Sequence, residues 1–307
     1  MTAPQPLIAP EPGPAPDPAL RARNARRRRR TAPRSERVAS AFLHLELLVV
    51  AVIVIFPLLW IVGASFSPGT GLANASPIPE NATVEHYVNL FTNTSYGRWY
   101  LNSLYVATLN MVGSVVLSAL CGYVFSRIRF RGRKAGLLGI LILQMFPTFL
   151  TAIAVYMLFL NFGLLDSLTG LALVSIAAAL PYNTWLMKGY TDNLPSSLDE
   201  AAAIDGASRW TIFVRIVLPL MRPMLTFVAI TQFTMPWMDF ILPRLLLQSP
   251  DKQTVALGLF AMIEDVYQNA FTTFAAGAVI LAVPITILYI VLQRYLVTGA
   301  SAGAEKG

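Results

Sequence analysis

The sequence predicts an all-α integral membrane protein with six transmembrane helices and both termini in the cytoplasm. Three observations lead to this prediction: an apolar composition, six long apolar runs, and basic residues that fall on one side of the membrane. Of the 307 residues, 55% are hydrophobic and only 13% are charged. Soluble proteins carry about 25% charged residues, so this composition is typical of a membrane protein.

Each of the six apolar runs is long enough to cross a bilayer as a helix, because about 20 residues span about 30 Å of hydrocarbon. The runs do not alternate polar and apolar residues over about ten positions, as the strands of a membrane barrel would. We therefore predict transmembrane helices at approximately 42–66, 99–126, 136–161, 168–190, 223–247 and 272–296.

The basic residues set the orientation of these helices. With the N-terminus in the cytoplasm, 20 of the 23 Lys and Arg residues lie on the cytoplasmic side, and only Arg98, Arg244 and Lys252 lie outside. Loops rich in Lys and Arg stay in the cytoplasm. Both termini and the long loop between the fourth and fifth spans are therefore predicted to be cytoplasmic.

Four regions follow from this layout. Residues 1–40 form a basic arm rich in Pro, Ala and Arg that cannot bury a core, so we expect it to be disordered in the cytoplasm. Its arginines indicate topology and contact with anionic membrane lipid rather than nucleic-acid binding. Residues 41–98 are the first span and an external loop, 99–298 are the membrane core with a cytoplasmic loop at 191–222, and 299–307 are a cytoplasmic tail.

Few residues in the chain could carry enzymatic chemistry. Cys121 is the only cysteine, which excludes an internal disulfide, and the two histidines, His44 and His86, are isolated from each other. We find no GxxxxGK[ST] nucleotide-binding loop and no Ser/His/Asp set. We therefore predict no metal site, no cofactor and no ATP hydrolysis in this chain.

A polar segment at 196–220, reading SSLDEAAAIDGASRWTIFVRIVLPL, separates the fourth and fifth spans. Ser197 and Glu200 have the spacing of a capping box, which predicts a helix start. The alanines after Glu200 favour helix, and Gly206 permits the positive φ that ends one. A second helix should follow, with one face formed by Ile212, Ile216 and Leu220.

The first of these two helices is acidic and rich in alanine. An amphipathic linker that rests on lipid would carry basic residues beside its apolar face. Small residues on a rigid helix instead suit docking into a groove of another protein. The segment therefore predicts a cytoplasmic protein partner.

The same segment resembles a known motif. Glu200-Ala201-Ala202, Gly206, Ile216 and Leu218-Pro219 stand at the seven defining positions of the EAA motif of ATP-binding-cassette importer permeases. From about residue 41 to the end, the chain is similar to the second permease of maltose-type sugar importers, for example in YVFSRIRFRGRK and LILQMFP. The long N-terminal arm departs from that family, as do Ala300 and Ser301 after Gly299.

The resemblance implies the binding-protein-dependent importer permease fold in the bacterial inner membrane. It implies ATP-driven import of a sugar such as maltose or maltodextrin, with MgATP bound by a partner. The implied partners are a second permease subunit, an ATPase dimer and an extracytoplasmic sugar-binding protein, which the loop 248–271 would face. The residues implied to couple to the ATPase are Ser197, Glu200, Ala201, Ala202, Asp205, Gly206, Ile216, Leu218 and Pro219, with Gly303, Glu305, Lys306 and Gly307 of the tail.

Polar residues inside the predicted spans are candidates for a translocation pathway, because such residues usually face the bundle or a water-filled path. Asp239 is predicted within the fifth span and shares a helix face with Gln232, seven residues earlier. Asp239 either lines the pathway or makes a structural hydrogen bond. Trp237 either stacks on a sugar ring or anchors at the membrane interface, and Asn110 is a further candidate.

Other functions fit the sequence less well. The cargo could be another oligosaccharide, such as a galacto-oligosaccharide. A membrane scaffold or receptor that only binds a cytoplasmic partner is the alternative from a different class, and a membrane enzyme has the least support. The importer hypothesis requires a second permease and an ATPase to co-purify with this chain in stoichiometric amounts.

Overall fold

The computed structural model describes residues 34–146, 148–264 and 270–301, and all regular elements in these ranges are helical. The chain divides into two units, one ending at Leu58 and the other beginning at Leu59. Both contain part of one long helix, α1 (Arg34–Phe66). The helix begins inside the range for which we expected disorder, residues 1–40. Residues 1–33 lie outside the described residues.

In the first unit, α1 exposes its apolar side chains all round. Leu47, Ile53 and Leu58, for example, are each at least 60% exposed. A helix that is apolar on every face is suited to hydrocarbon or to a protein partner, because water would solvate none of its sides. Its apolar window Phe42–Phe66 confirms the first predicted span by length and composition.

The second unit holds the remaining longer helices. In chain order they are α2 (Glu85–Thr92), α3 (Tyr96–Arg127), α4 (Arg133–Leu143), α5 (Thr148–Phe162), α6 (Leu168–Asp192), α7 (Ser196–Ile204), α8 (Arg209–Leu220), α9 (Arg222–Met238), α10 (Ile241–Leu246), α11 (Val255–Glu264) and α12 (Phe271–Ser301). In α3, α6 and α12 the helix is long and apolar enough to cross a membrane, which confirms the second, fourth and sixth predicted spans.

The third predicted span, 136–161, is not one helix. It is divided into α4 and α5, and the chain leaves the helical path between Gln144 and Phe146. Phe146 precedes Pro147, and the residue before a proline is disfavoured in helical conformation. Pro147 itself lies outside the described residues.

The fifth predicted span, 223–247, is also wrong as a single helix. Its main part, α9, ends at Met238 and is about 26 Å long at 1.5 Å per residue. At its start, α9 is bent by 75° from α8, so these two helices are one broken span or a re-entrant element. The described residues thus hold four or five spans by this measure, and the orientation of the termini stays a prediction.

The centre of the second unit is the packing of α3 on α6, which run in the same direction. The hydroxyl groups of Tyr105, in the third turn of α3, and Thr169, in the first turn of α6, share a hydrogen bond of 2.9 Å. Further along, Gly122 of α3 contacts Met187 of α6 so closely that a Cβ added to the glycine would lie 2.5 Å from the Met187 Cβ. The missing side chain is what allows this approach.

Two buried clusters lie at opposite ends of α3. We call the first the α8 cluster; it is formed by Ala119, Tyr123, Met187, Ile212, Phe213, Val217, Met221, Met224 and Val228. We call the second the α11 cluster; it is formed by Leu90, Tyr96, Trp99, Ala107, Trp237, Val255 and Leu259. Between them, the middle of α3 borders a cavity.

Candidate functional site

The helix α7 begins two residues earlier than the predicted capping box places it. Pro195, with φ −57° and ψ 119°, is the residue before the first turn, and no side chain caps this end. Ser197 is therefore the second helical residue and cannot act as the N-cap. The predicted capping box between Ser197 and Glu200 is wrong, because the conformation fixed by proline starts the helix instead.

The helix α7 ends just before Gly206, as the sequence predicts. Gly206 has φ +83°, in the left-handed region. The Gly206 N–H donates to the Ala203 carbonyl at 3.1 Å, and the Ala207 N–H donates to the Ala202 carbonyl at 2.9 Å. This pair of bonds is the Schellman motif, which satisfies carbonyls at a helix end and favours glycine at its left-handed position.

The helix α8 has a different buried face from the predicted one. It starts at Ser208, whose hydroxyl accepts from the Thr211 N–H at 3.1 Å, and contains a π-helical turn at Phe213–Val217. The wider turn shifts the register of the side chains. Phe213 and Val217 are buried with Ile212, whereas Ile216 is only partly buried and Leu220 is exposed.

Polar contacts tie this polar segment to the ends of α3 and α6. The Nε of Arg127 lies 2.9 Å from an Asp199 carboxylate oxygen, and Nη2 donates to the Leu194 carbonyl at 2.7 Å. Ser126 donates to Asp192 at 2.6 Å, and Tyr123 donates to a carbonyl of α8 at 3.2 Å. Through Arg127, α7 is therefore joined directly to α3, and Ser126 joins α3 in turn to the end of α6.

Burial affects the carboxyl group that pairs with Arg127. Desolvation raises the pKa of Asp199, and the adjacent Glu200 carboxylate raises it further, while the Arg127 guanidinium opposes both. The net shift is upward, so the ion pair only partly compensates for the loss of water around Asp199.

The nine residues of the polar segment predicted to couple to the ATPase, which include the seven of the motif, differ in their exposure. Ser197, Glu200, Ala201, Asp205 and Gly206 are exposed. Large apolar side chains are exposed beside them, with Leu198 at 44%, Trp210 at 65% and Ile204 at 86%. The partly buried members are Ala202, Ile216, Leu218 and Pro219, of which Ala202 and Leu218 pack against the α8 cluster.

This surface has the character of a docking site. An apolar patch on an otherwise charged segment is typical of a protein-interaction surface. The helix that presents it is fixed by its end at Gly206 and by the Arg127 contacts. The rest of the motif holds that helix against the membrane core.

Three of the four predicted pathway residues line one cavity of about 430 Å³, namely Asn110, Gln232 and Asp239. Asn110 is 1% exposed and donates to the Gln232 carbonyl at 2.7 Å and to its side-chain oxygen at 3.3 Å. Two helices, α3 and α9, are thereby joined by a buried polar contact at the cavity wall.

The sequence predicts Asp239 inside the helix of the fifth span. In the structure Asp239 instead lies just after the end of α9. It has φ −75° and ψ 122°, and its carboxylate accepts from the Leu242 N–H at 3.4 Å at the start of α10. Asp239 therefore makes a structural hydrogen bond and also borders the cavity, while its role in a pathway stays a prediction.

Trp237 lies away from this cavity. It is 3% exposed in the α11 cluster, with its ring 5.0 Å from that of Tyr100 and 6.0 Å from that of Phe233, between centroids. In this conformation the indole ring thus packs against aromatic side chains and does not line the cavity.

Sequence reasoning missed the part of the cavity wall formed by α5 and α6. Small residues dominate it, and they are Ala152, Ser175, Ala178 and Ala179. The last three are spaced i, i+3, i+4, so they share one face of α6. This spacing of small residues within a span could have identified this part of the cavity wall from the sequence.

A second network fixes the loop that follows α10. The Asp166 carboxylate accepts from the N–H groups of Gln248 and Ser249, each at 3.0 Å, and from the Ser249 hydroxyl at 2.5 Å. Lys252 Nζ lies 3.1 Å from it. Burial acts to raise the pKa of Asp166, but these donors outweigh it and hold that pKa well below its usual range.

The predicted loop 248–271 is itself partly helical. It contains α11, whose Val255, Leu257 and Leu259 are buried. Its start is held by Asn102 of α3, which donates to the carbonyls of Asp251 and Gln253 at 2.8 and 2.9 Å. Residues 265–269 of this loop and the predicted tail contacts Gly303, Glu305, Lys306 and Gly307 lie outside the described residues.

Residues 114–301 match the family of proteins described as binding-protein-dependent transport system inner membrane components. This range holds the polar segment, α9 and most of the cavity wall. It also covers more than half of the chain.

Relatives match almost the full length. The galactooligosaccharides transport system permease protein GanQ of Bacillus subtilis (strain 168) is 44% identical over 269 residues, which are 87% of this chain and 95% of GanQ. The maltodextrin transport system permease protein MdxG of the same strain is 41% identical, covering 86% and 95%. The maltose/maltodextrin permease protein MalG of Escherichia coli (strain K12) is 35% identical, covering 90% and 98%.

Two solved structures share the fold. A chain of a bacterial ABC transporter involved in the import of the acidic polysaccharide alginate has a TM-score of 0.76 at 23% identity, covering 86% of this chain and 98% of that one. A chain of a bacterial alginate ABC transporter in complex with an alginate pentasaccharide-bound periplasmic protein has a TM-score of 0.64 at 16% identity, covering 88% and 97%.

Proposed function

Because the chain belongs to the family of binding-protein-dependent transport system inner membrane components, we propose that it is the permease subunit of an ATP-driven carbohydrate importer. The proposal rests above all on the fixed, exposed helix α7, which is tied through Arg127 to α3 and through Leu194 to the end of α6. Such an arrangement can carry a displacement made by a cytoplasmic partner into the membrane.

In this mechanism α7 is the coupling helix. The partner is an ATPase dimer, which binds and hydrolyses MgATP and so supplies the energy. This chain catalyses no reaction itself. Closure of the ATPases moves α7, and the ion pair and hydrogen bonds at Arg127 pass that motion to α3. The cavity bordered by Asn110, Gln232 and Asp239 is this chain's part of the pathway, opening alternately to each side.

The remaining partners follow from the same proposal. A second permease completes the pathway. An extracytoplasmic sugar-binding protein docks near the loop 248–271, which Asp166 and Asn102 hold in place. The tail residues 303–307 contact the ATPases.

The cargo is proposed to be a maltodextrin or a galacto-oligosaccharide. GanQ and MdxG, whose names carry these two sugars, have similar identities to this chain, at 44% and 41%. Calorimetry of the partner binding protein with maltose, maltotriose and galactobiose distinguishes the two, and binding of none of them contradicts both.

The coupling role is tested with Glu200→Lys in the reconstituted transporter. Glu200 is exposed on α7, so reversing its charge leaves the packing of the core intact and changes the charge of the docking surface. We expect sugar-stimulated ATP hydrolysis to fall at least tenfold, with normal amounts of protein in the membrane. Glu80→Lys, an equally exposed change in the predicted outer loop, is the control. Normal ATPase activity of Glu200→Lys would contradict the assignment.

A further inference from the structure

A second polar cavity, of about 430 Å³, lies where the end of α3 and the start of α4 meet α7 and α8. It is separate from the cavity bordered by Asn110 and Asp239. The charged residues of its wall are four arginines and two carboxylates: Arg127, Arg129, Arg133, Arg209, Asp199 and Glu200. Positive charge therefore exceeds negative charge by two at this site.

Most of the donors on these arginines are unused. Arg129 and Arg209 have no side-chain hydrogen bond or ion pair with the described residues. Arg133 donates to the Ser126 carbonyl at 3.1 Å. The buried Nε of Arg127 is near Asp199 but is not aligned to hydrogen-bond with it. A guanidinium has five N–H donors, so the cavity presents many free ones.

We propose that this cavity binds a phosphate group. Arginine forks match the oxygens of phosphate in a bidentate manner, and charge-assisted bonds of this kind are among the strongest hydrogen bonds in proteins. The predicted position of the cavity, at the cytoplasmic end of a span, suits the phosphodiester of an anionic phospholipid. Inorganic phosphate carries the same recognition chemistry.

Binding here affects α7. A bound phosphate competes with Asp199 for Arg127, and that contact is one of those fixing α7 to α3. The site thereby connects the anion content of the cytoplasm or inner leaflet to the polar segment. The inference does not depend on the proposed cargo.

The test uses the purified full-length chain with the subunits that co-purify with it. Its thermal unfolding midpoint is measured in nanodiscs of phosphatidylcholine alone, in nanodiscs containing increasing phosphatidylglycerol, and in phosphatidylcholine with added inorganic phosphate. We expect phosphatidylglycerol to raise the midpoint saturably. If phosphate has the same effect, the ligand is the free anion; if only the lipid acts, the ligand is the headgroup.

Matched arginine variants distinguish binding in this cavity from a general effect of the protein's positive charge. Arg209→Gln and Arg129→Gln remove lining residues, whereas Arg215→Gln and Arg131→Gln remove exposed arginines of the same segments that do not line the cavity. Loss of a charge-assisted bond should weaken apparent affinity about tenfold in the first pair only. Equal effects in all four variants, or no change of the midpoint with either phosphatidylglycerol or inorganic phosphate, would overturn the proposal.

A variant that gains affinity gives an independent readout. Asp199→Asn removes the carboxylate that competes for Arg127, so it should bind the same probe more tightly than the unchanged chain. A weaker response than that of the unchanged chain would contradict the competition. Because the Arg129 and Arg209 side chains make no hydrogen bond or ion pair with the described residues, their removal should leave folding intact.

Discussion

Gly206 shows how one backbone conformation decides the geometry of the polar segment. Its φ of +83° is costly for a residue with a branched side chain, by roughly 1–2 kcal/mol. We predict that Gly206→Val shifts the end of α7 and lowers sugar-stimulated ATPase activity of the reconstituted transporter. Gly206→Asn should retain more activity, because asparagine tolerates this region better.

The control for this prediction is a glycine without such a requirement. Gly189 in α6 has no positive φ, and a Cβ added there meets nothing within 4 Å. Gly189→Ala should leave coupling unchanged. Equal loss of activity in Gly206→Val and Gly206→Asn would mean that φ is not the cause.

Asp166 makes stability depend on pH. Its native pKa lies below the unfolded value of about 3.9, so its stabilisation is complete above that value and is lost as pH falls through the native pKa. We predict that Asp166→Asn destabilises the protein by roughly 1–3 kcal/mol at pH 7, since the Lys252 ion pair and a hydroxyl bond are lost. Thermal unfolding at pH 7 and pH 3 measures the difference, which should shrink at the lower pH.

Asp251→Asn tests whether this effect belongs to the network. Asp251 lies in the same loop, but its side chain is exposed and makes no hydrogen bond with the described residues. It should show little pH-dependent change. A destabilisation equal to that of Asp166→Asn would assign the effect to the net charge of the loop.

At the residue scale, sequence reasoning succeeded where local backbone chemistry decides. The left-handed Gly206 was predicted from its position after the alanines. Ser197 was misassigned because Pro195, and not the serine, occupies the N-cap position. The Arg127–Asp199 pair could not be predicted, because it joins residues 72 positions apart through the packing of α3 against α7.

At the element scale, the length of an apolar run predicts a span but not its continuity. The four uninterrupted helices were found because their hydropathy is high throughout. The third and fifth spans are broken although their composition stays apolar across the break. Pro147 and Asp239 mark these breaks in the sequence, but a membrane helix also tolerates proline, as Pro181 within α6 shows.

The contact between α3 and α6 leads to a prediction for that helix pair. A Cβ at position 122 would lie 2.5 Å from Met187 Cβ and 3.1 Å from the Lys188 nitrogen, so the helices must separate to admit it. We predict that Gly122→Ala lowers stability by about 1–3 kcal/mol, measured as the thermal unfolding midpoint. Gly139→Ala in α4, where the added atom meets nothing within 4 Å, is the control. An unchanged midpoint in Gly122→Ala would show that α3 and α6 can separate to admit the methyl group without loss of stability.

At the scale of the whole molecule, the second unit leaves much apolar surface exposed. Leu101, Val112 and Val116 of α3 are each at least half exposed. Composition predicted a membrane protein, and lipid or a second permease would cover these side chains. Which side chains line a pathway depends on how several helices meet, so sequence periodicity identified only three of the lining residues.

The cavity allows a test of the pathway. Ala178 lines it, whereas Val106 is 1% exposed in the neighbouring core. In a Cys121→Ser background, we predict that Ala178→Cys reacts with a small water-soluble thiol reagent and that Val106→Cys does not. Reaction rates followed by mass spectrometry measure this. Equal protection of both positions would show that water does not enter the cavity.

Proline distribution distinguishes α3 from the other long helices. Pro57, Pro181 and Pro284 lie within α1, α6 and α12, but α3 contains no proline over its 32 residues. One end of α3 holds the loop after α10, its middle borders the cavity, and its other end pairs with α7. Without a site that can hinge, α3 behaves as a stiff rod about 48 Å long. We therefore expect a displacement at one end of α3 to reach its other end without bending the helix.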